Sequence, residues 1–223
     1  MGTKITWLGH SAFQVETGDH TILIDPFLTG NPLAPVSPDD LDADFILLSH
    51  GHGDHVGDTV AIAKRTGATV VGNFEVAGWI SKQGIEKTSS PNTGGSATFD
   101  FGKVTYTIAF HSSSMPDGSY GGSPNGLFIT LNSGRTIFHA GDTALFSDMQ
   151  LIGNKGIDLA IVPIGDYFTM GPEDSIQAIQ WLKPRFVLPC HYNTFPPIAQ
   201  DAAQWASLVS QETLSSAIVL DPG

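Results

Sequence analysis

Ser49-His50-Gly51-His52-Gly53-Asp54-His55 is the stretch on which the reading of this chain turns. It follows the short apolar run Phe45-Ile46-Leu47-Leu48 and precedes a segment in which Val56, Val60 and Ala63 recur at helical spacing. With eight His in 223 residues, three His and one Asp at these offsets should arise by chance in fewer than about one chain in a thousand. A buried strand running into a helix leaves a loop where side chains converge without ladder hydrogen bonds. His50 and His52, two apart in extended chain, point the same way. Gly51 and Gly53 are expected to supply the tight backbone that turns His52, Asp54 and His55 inward. Imidazole and carboxylate together suit Zn, Mn or Fe.

Working outward, strands are expected over residues 4–8, 12–16 and 21–24, with Gly18-Asp19 turning between the last two. Residues 26–44 are acidic and Pro-bearing and read as a surface loop. Beyond the motif come a helix over 56–66 stopped at Gly67, a strand over 69–72 and a helix over 75–82 stopped by Gly84. The second half repeats the theme. It has β pattern over 97–111, a Ser-, Gly- and Pro-rich run over 112–126, and strands over 127–131 and 136–139 around Asn132-Ser133-Gly134. Strands at 159–163, 186–189 and 217–220 then alternate with helices at 173–182 and 199–210. The run 112–126 reads as a mobile substrate loop or as a long connection. Each half moves from β meander into β-α units with no break in composition. The expectation is one α+β domain over residues 1–223, two mixed sheets face to face with helices outside. His111, His139, Asp142 and His191 each stand just past an apolar strand, at the edge where such folds place their sites.

Composition excludes several classes. Ten Lys and Arg against 22 Asp and Glu give a formal charge of −12, so the basic clusters that release counterions from nucleic acid are missing. Cys190 is the only cysteine, which rules out an intramolecular disulfide framework. A 41% hydrophobic content is too high for a disordered chain. No apolar run is long enough to span a membrane, and no leader pattern opens the sequence, so the expected compartment is the cytoplasm. Met1-Gly2-Thr3-Lys4-Ile5-Thr6 fits the loose myristoylation pattern but reads as the approach to a strand. A homo-oligomer is left open.

Taken in order, these elements resemble the metallo-β-lactamase-fold superfamily. Its marks are His-x-His-x-Asp-His, a later lone His, a Gly-Asp segment and a last lone His. Trp7-Leu8-Gly9-His10-Ser11 and Ala140-Gly141-Asp142-Thr143 are similar to the branch of small metal-dependent hydrolases related to L-ascorbate-6-phosphate lactonase. The resemblance implies an αββα sandwich and two divalent metal ions, Zn or Mn, with Fe or Ni also compatible. It implies that His50, His52 and His111 hold one ion, that Asp54, His55 and His191 hold the other, and that Asp142 bridges them. The implied chemistry is a hydroxide between the two metals attacking a small anionic ester, a lactone or a phosphodiester. Asp54 would both ligate and orient the hydroxide or take its proton. His10 is a second catalytic candidate, binding substrate or protonating a leaving group, with a buried histidine whose hydrogen bonds are satisfied as the equal alternative.

Other residues take humbler expectations. Asp25 matches an Asp that supports the metal loop in the superfamily, with a strand-end turn before Pro26 as the alternative. His139 reads as a supporting or core residue, Cys190 as a buried thiol, His20 as solvent-facing, and Asp166 as lining the pocket or simply turning the chain. Gly9-His10-Ser11-Ala12-Phe13 lacks the final Gly of a serine-hydrolase elbow. An iron-dependent oxygenase or oxidoreductase on the same ligands is the competing activity. A binding module with a vestigial site is disfavoured by the full ligand set. RNA is disfavoured too, because the superfamily's nucleases carry a basic arm that is missing here. Two divalent cations, two carboxylates and a hydroxide leave the site formally at about +1, so a small anion is expected to enter an acidic protein.

Overall fold

Alternation explains the first sheet. In β3 (His20–Ile24), β4 (Phe45–Leu47) and β5 (Thr69–Val71) successive side chains enter different cores. Ile22, Ile24, Phe45, Leu47 and Val71 face one cluster, while Leu23, Ile46 and Val70 face another. Both faces are therefore buried, which is why these strands read as unbroken apolar runs. The sheet runs β1 (Thr3–Trp7), β2 (Phe13–Thr17), β3, β4, β5, β6 (Thr88–Ser89). Its first three strands are antiparallel and the rest parallel. Helices α1 (Gly53–Val56), α2 (Thr59–Thr66) and α3 (Phe74–Lys82) follow β4 and β5. Val56, Ile62, Val76 and Ile80 cover the outer face.

The second sheet repeats the plan in seven strands. β7 (Ser96–Phe99), β8 (Gly102–Ile108), β9 (Asn125–Leu131) and β10 (Thr136–His139) form a meander. β11 (Leu159–Pro163), β12 (Phe186–Cys190) and β13 (Ser216–Ala217) add in parallel across α4 (Met149–Gly153), α5 (Pro172–Leu182) and α6 (Ala202–Glu212). Phe13, Val15, Ile24 and Leu47 share one core cluster with Val104, Tyr106, Leu127 and Ile129 of the second sheet, so the sheets lie face to face. The layering is the expected αββα sandwich.

The structure, a computed structural model, describes residues 2–223. Met1, where the myristoylation pattern would begin, lies outside the described residues. No helix among the described residues is long and apolar enough to cross a membrane.

Several local expectations change. The helix over 56–66 is broken in two at Gly57, whose φ of 42° and contact with Pro26 and Phe27 leave no room for a Cβ. Residues 26–44 bury Leu28, Leu41 and Ala43, so this connection caps the outer core of the first sheet. The run 112–126 is anchored rather than loose, and β9 already begins at Asn125. Met115 is buried, Ser114 bridges to Tyr120, and Asn73 donates to the carbonyls of Gly121 and Ser123.

Candidate metal centre

β1, β3 and β4 run one way in the first sheet, as β8, β10, β11 and β12 do in the second. His10, Asp25 and the His50–His55 motif follow the first set. His111, Asp142, Asp166 and His191 follow the second. All but Asp166 meet at one edge of the sandwich. Asp166 is exposed and borders a separate hollow with Gly171 and Gln200.

Asp142 Oδ2 is the centre of the arrangement. It lies 3.0 Å from His191 Nε2, 3.3 Å from His55 Nε2, 3.5 Å from His111 Nε2 and 4.0 Å from His50 Nε2. His52 Nδ1 is 3.0 Å from His50 Nε2. Ligating atoms of His50, His52 and His111 fall within 4.8 Å of one another, and so do those of Asp54, His55 and His191 together with His10. The seven residues singled out as ligands are thus brought together.

A hydrogen-bond chain sets two of the imidazoles. Ser49 Oγ donates to Asp25 Oδ2 (2.5 Å), and Ser49 N donates to Asp25 Oδ1 (2.8 Å). With its proton committed, Ser49 Oγ must accept from His50 Nδ1 (3.0 Å). His55 Nδ1 donates to Asp25 Oδ2 (2.8 Å). Both rings therefore turn an Nε2 lone pair toward the centre, the orientation that a carboxylate behind a ligating His imposes. Burial works against the Asp25 carboxylate, but His55 reverses it and holds the group below its ordinary range.

The residues fit a bound metal. His55 Nε2 and Asp142 Oδ1 are buried with no hydrogen-bond partner, a state that costs about 1–3 kcal/mol per group unless something answers it. Burial lowers the pKa values of His50, His52 and His111, so they stand neutral, the state in which an imidazole nitrogen can ligate. His55 differs. Burial pushes it down, but Asp142 and Asp25 on either side overcome this and raise it well above its ordinary value. The two carboxylates call for positive charge at His55 Nε2, and a cation answers that demand as a proton does.

His10 sits behind Asp54. Its Nε2 donates to Asp54 Oδ2 at 3.2 Å, and its Nδ1 accepts from Thr194 Oγ1 at 2.9 Å. Burial pushes its pKa down to about 4 against the pull of Asp54, so the ring is neutral. The Asp54 carboxylate is held below its ordinary range, with the His10 hydrogen bond overcoming the effect of burial. His139 uses both nitrogens, Nε2 toward the Ser11 carbonyl (3.3 Å) and Nδ1 accepting from Gly141 N (3.1 Å). It braces the Asp142 loop and offers the centre no free atom. Cys190 is buried, with its pKa raised by burial. The role expected of the motif glycines changes. A Cβ on Gly51 would strike Met115 Sδ and Ser114 O, while one on Gly53 would meet nothing, and neither residue has positive φ.

A cleft of about 330 Å³ opens over His52, Asp54, His111, Asp142 and His191. Its remaining walls are Ser112, Phe168 and Phe195. A larger groove of about 940 Å³ lies at the other end of the second sheet, beside Ile157, Lys183 and Leu214. It contains none of the ligating clusters among the described residues, so the chemistry belongs to the smaller cleft. Sequence reasoning gave no role to Ser49 or Thr194 and did not single out Phe168 or Phe195. Ser49 could have been found from its place beside His50, whereas Thr194 carries no local signal.

A family model described as "Beta-lactamase superfamily domain" matches residues 4–191. Fold and site thus define a metal-dependent hydrolase of the metallo-β-lactamase fold. A UPF0173 metal-dependent hydrolase of Geobacillus thermodenitrificans (strain NG80-2) is 56% identical over 211 residues, 92% of each chain. Another, from Thermus thermophilus, is 52% identical over 203 residues, 91% of this chain and 89% of the relative. The solved structure of Igni18, described as a novel metallo hydrolase from the hyperthermophilic archaeon Ignicoccus hospitalis KIN4/I, is similar with a TM-score of 0.90 at 37% identity. It covers 99% of this chain and 96% of that one. Within the superfamily, the chain belongs to the UPF0173 metal-dependent hydrolases.

Proposed function

We propose that this chain, working as one domain over residues 1–223, hydrolyses a small ester in the cytoplasm with water activated at a dinuclear metal centre. The observation that carries the reading is Asp142 Oδ2, one carboxylate oxygen ringed by four imidazole Nε2 atoms. His50, His52 and His111 would hold one ion and Asp54, His55 and His191 the other, with Asp142 shared. Zn or Mn suits these ligands. Such ions, when bound, lower the pKa of a water and polarise an electrophilic oxygen.

The protein's own part is positioning and proton handling. His10 donates to Asp54 Oδ2 and so fixes which carboxylate oxygen faces the cleft. Asp54 is 30% exposed at its side chain and remains ionised, so it can orient the attacking water and accept its proton. A lone serine or cysteine nucleophile is not needed. The test is hydrolysis of a panel of lactones and of bis-p-nitrophenyl phosphate by metal-defined protein. Cleavage of an ester, abolished by chelation and by His52→Ala, is the expected result. Activity that survives both treatments would overturn the mechanism.

A further inference from the structure

The proposed reaction leaves the organic part of the substrate open, and the surroundings of the centre bear on it. All ten Lys and Arg lie away from the metal edge. None occurs in residues 5–63, 104–134, 136–154, 156–182 or 186–223, and these spans hold every loop from which the ligands come. An anionic ester is ordinarily gripped by Arg or Lys beside the reacting atoms. Here neither Lys nor Arg lines the cleft, and Asp54 does.

Aromatic rings stand where a cation would be expected. Phe168 is 48% exposed and its neighbour Tyr167 73%, with ring centroids 4.8 Å apart, edge to face. Rings left in water forgo the burial energy that a folded chain usually takes, and exposed apolar surface beside a cleft marks a contact site. The tip that carries them is closed on itself, since Thr169 N donates to the Asp166 carbonyl (2.6 Å) and Asp166 N to the Met170 carbonyl (3.3 Å). It is also fastened to the ligand loop, because Met170 is buried and its N–H donates to the carbonyl of Thr143 (2.9 Å), next to Asp142. Phe195 is held in turn by the rings of His10 (5.5 Å) and Phe27 (6.5 Å). Both walls are preorganised, which spares a ligand the entropy of ordering them.

We propose that the cleft takes a neutral carboxylic ester or lactone bearing a flat apolar group, with that group lying against Phe168 and Phe195 while the carbonyl faces the metal ligands. This rests on the hydrolytic reading above, replaces the anionic ester expected from the sequence with a neutral one, and narrows the reading away from phosphodiesters. The cleft, at about 330 Å³, is at the small end of ligand sites and matches a single ring with its ester.

The experiment compares α-benzyl-γ-butyrolactone, unsubstituted γ-butyrolactone and bis-p-nitrophenyl phosphate on metal-loaded protein. In parallel, binding of phenylacetamide to chelated protein is followed by ligand-observed NMR. The benzyl lactone should be preferred by about tenfold or more in kcat/KM, equivalent to about 1.4 kcal/mol. Phe168→Ala should erase most of that preference through KM and weaken phenylacetamide binding, Phe168→Tyr should restore both, and Leu151→Ala on α4 should alter neither. Equal handling of the two lactones, indifference of both readouts to Phe168→Ala, or preference for the phosphodiester would overturn the inference. Phenylacetamide binding that depends on Phe168 in a protein that cleaves no ester would support the apolar wall and refute the hydrolytic reading alone.

Discussion

Replacing Asp25 by Asn keeps the side chain's shape, removes its charge, and suits the left-handed φ of 44° at this position, which Asn tolerates. The carboxylate accepts three hydrogen bonds, from Ser49 N, Ser49 Oγ and His55 Nδ1. An amide has one acceptor oxygen, so in either orientation its NH2 must face at least one of these donors. Losing charge-assisted bonds of ~1.5–3 kcal/mol and stranding a buried donor at ~1–3 kcal/mol predicts a loss on the order of 3–5 kcal/mol in metal-free protein. That is a large part of a typical domain's stability of roughly 5–15 kcal/mol. The same change frees the His55 ring and makes it less basic, which should weaken metal affinity by roughly 10–100-fold. Urea unfolding of chelated protein measures the first effect, and competition with a chromophoric chelator the second. Affinity within twofold of wild type would refute the claim that Asp25 braces His55 for a metal.

Three further outcomes are expected. Gly57→Ala must place a Cβ against Pro26 O and Phe27 Cα at a φ of 42° and should lower stability by several kcal/mol, on the order of other strained-backbone and overpacking changes. Gly53→Ala, whose Cβ meets nothing, should be neutral or gain about 0.5–1 kcal/mol, and equal melting temperatures for the two variants would sink this account. In metal-free protein, stability should fall as pH drops from 6.5 toward 4. A His10 with its folded pKa lowered to about 4 is neutral in the fold, while the unfolded chain protonates first, for a loss of up to about 3 kcal/mol. His55, raised in the fold, contributes in full below 6.5, whereas His50, His52, His111 and His139, lowered by burial, add to the loss in the same direction; a urea midpoint that is flat from pH 6.5 to 4.5, or a slope not reduced in His10→Asn, would contradict the assignment. Chelation should lower the melting temperature by leaving His55 Nε2 and Asp142 Oδ1 unanswered. Zn or Mn at about a thousand times its Kd should restore about 4 kcal/mol, and a melting curve indifferent to both steps would argue against a bound ion.

What could be read in the sequence followed the range of the forces involved. The sandwich was legible because Ile22, Ile24, Phe45 and Leu47 alternate with Leu23 and Ile46, a pattern that local periodicity carries. The candidate ligand residues could be singled out because each stands a short step past an apolar strand. The break at Gly57 was not, since its cause is Pro26 and Phe27, some thirty residues earlier in the chain. The hairpin after His111 looked loose from its Ser and Gly content. What holds it is remote: Met115 in the outer core, Asn73 at the start of α3, and Trp79 Nε1 donating to Asp117 Oδ2 at 2.7 Å. Gly51 is required for this reason and not for an unusual φ, because the hairpin packs directly on it. The aromatic tip at Tyr167 and Phe168 has no periodicity at all, and its meaning comes only from where β11 delivers it.

The division of the ligands between the sheets has a mechanical consequence. His50, His52, Asp54 and His55 come from the first sheet, and His111, Asp142 and His191 from the second, so neither half can hold the proposed centre alone. The halves are clasped at this edge. The His10 carbonyl accepts from His191 N (3.1 Å), Asn125 N donates to the Ser49 carbonyl (3.0 Å), and Tyr106 OH donates to the Leu48 carbonyl (3.2 Å). Strain is concentrated in the same place. Of the six non-glycine residues with positive φ among the described residues, His10, Asp25, His191 and Asn193 follow strand ends there, Asp166 follows β11 beside a neighbouring hollow, and Lys183 lies elsewhere. Such conformations cost about 1–3 kcal/mol each and persist where the surroundings over-determine them. The clasp is that over-determination: it bonds the strained His10 carbonyl to the strained His191 N–H across the two sheets. Metal affinity should therefore report how well the sheets are docked, and loosening the core at Tyr106 should weaken it without touching a ligand.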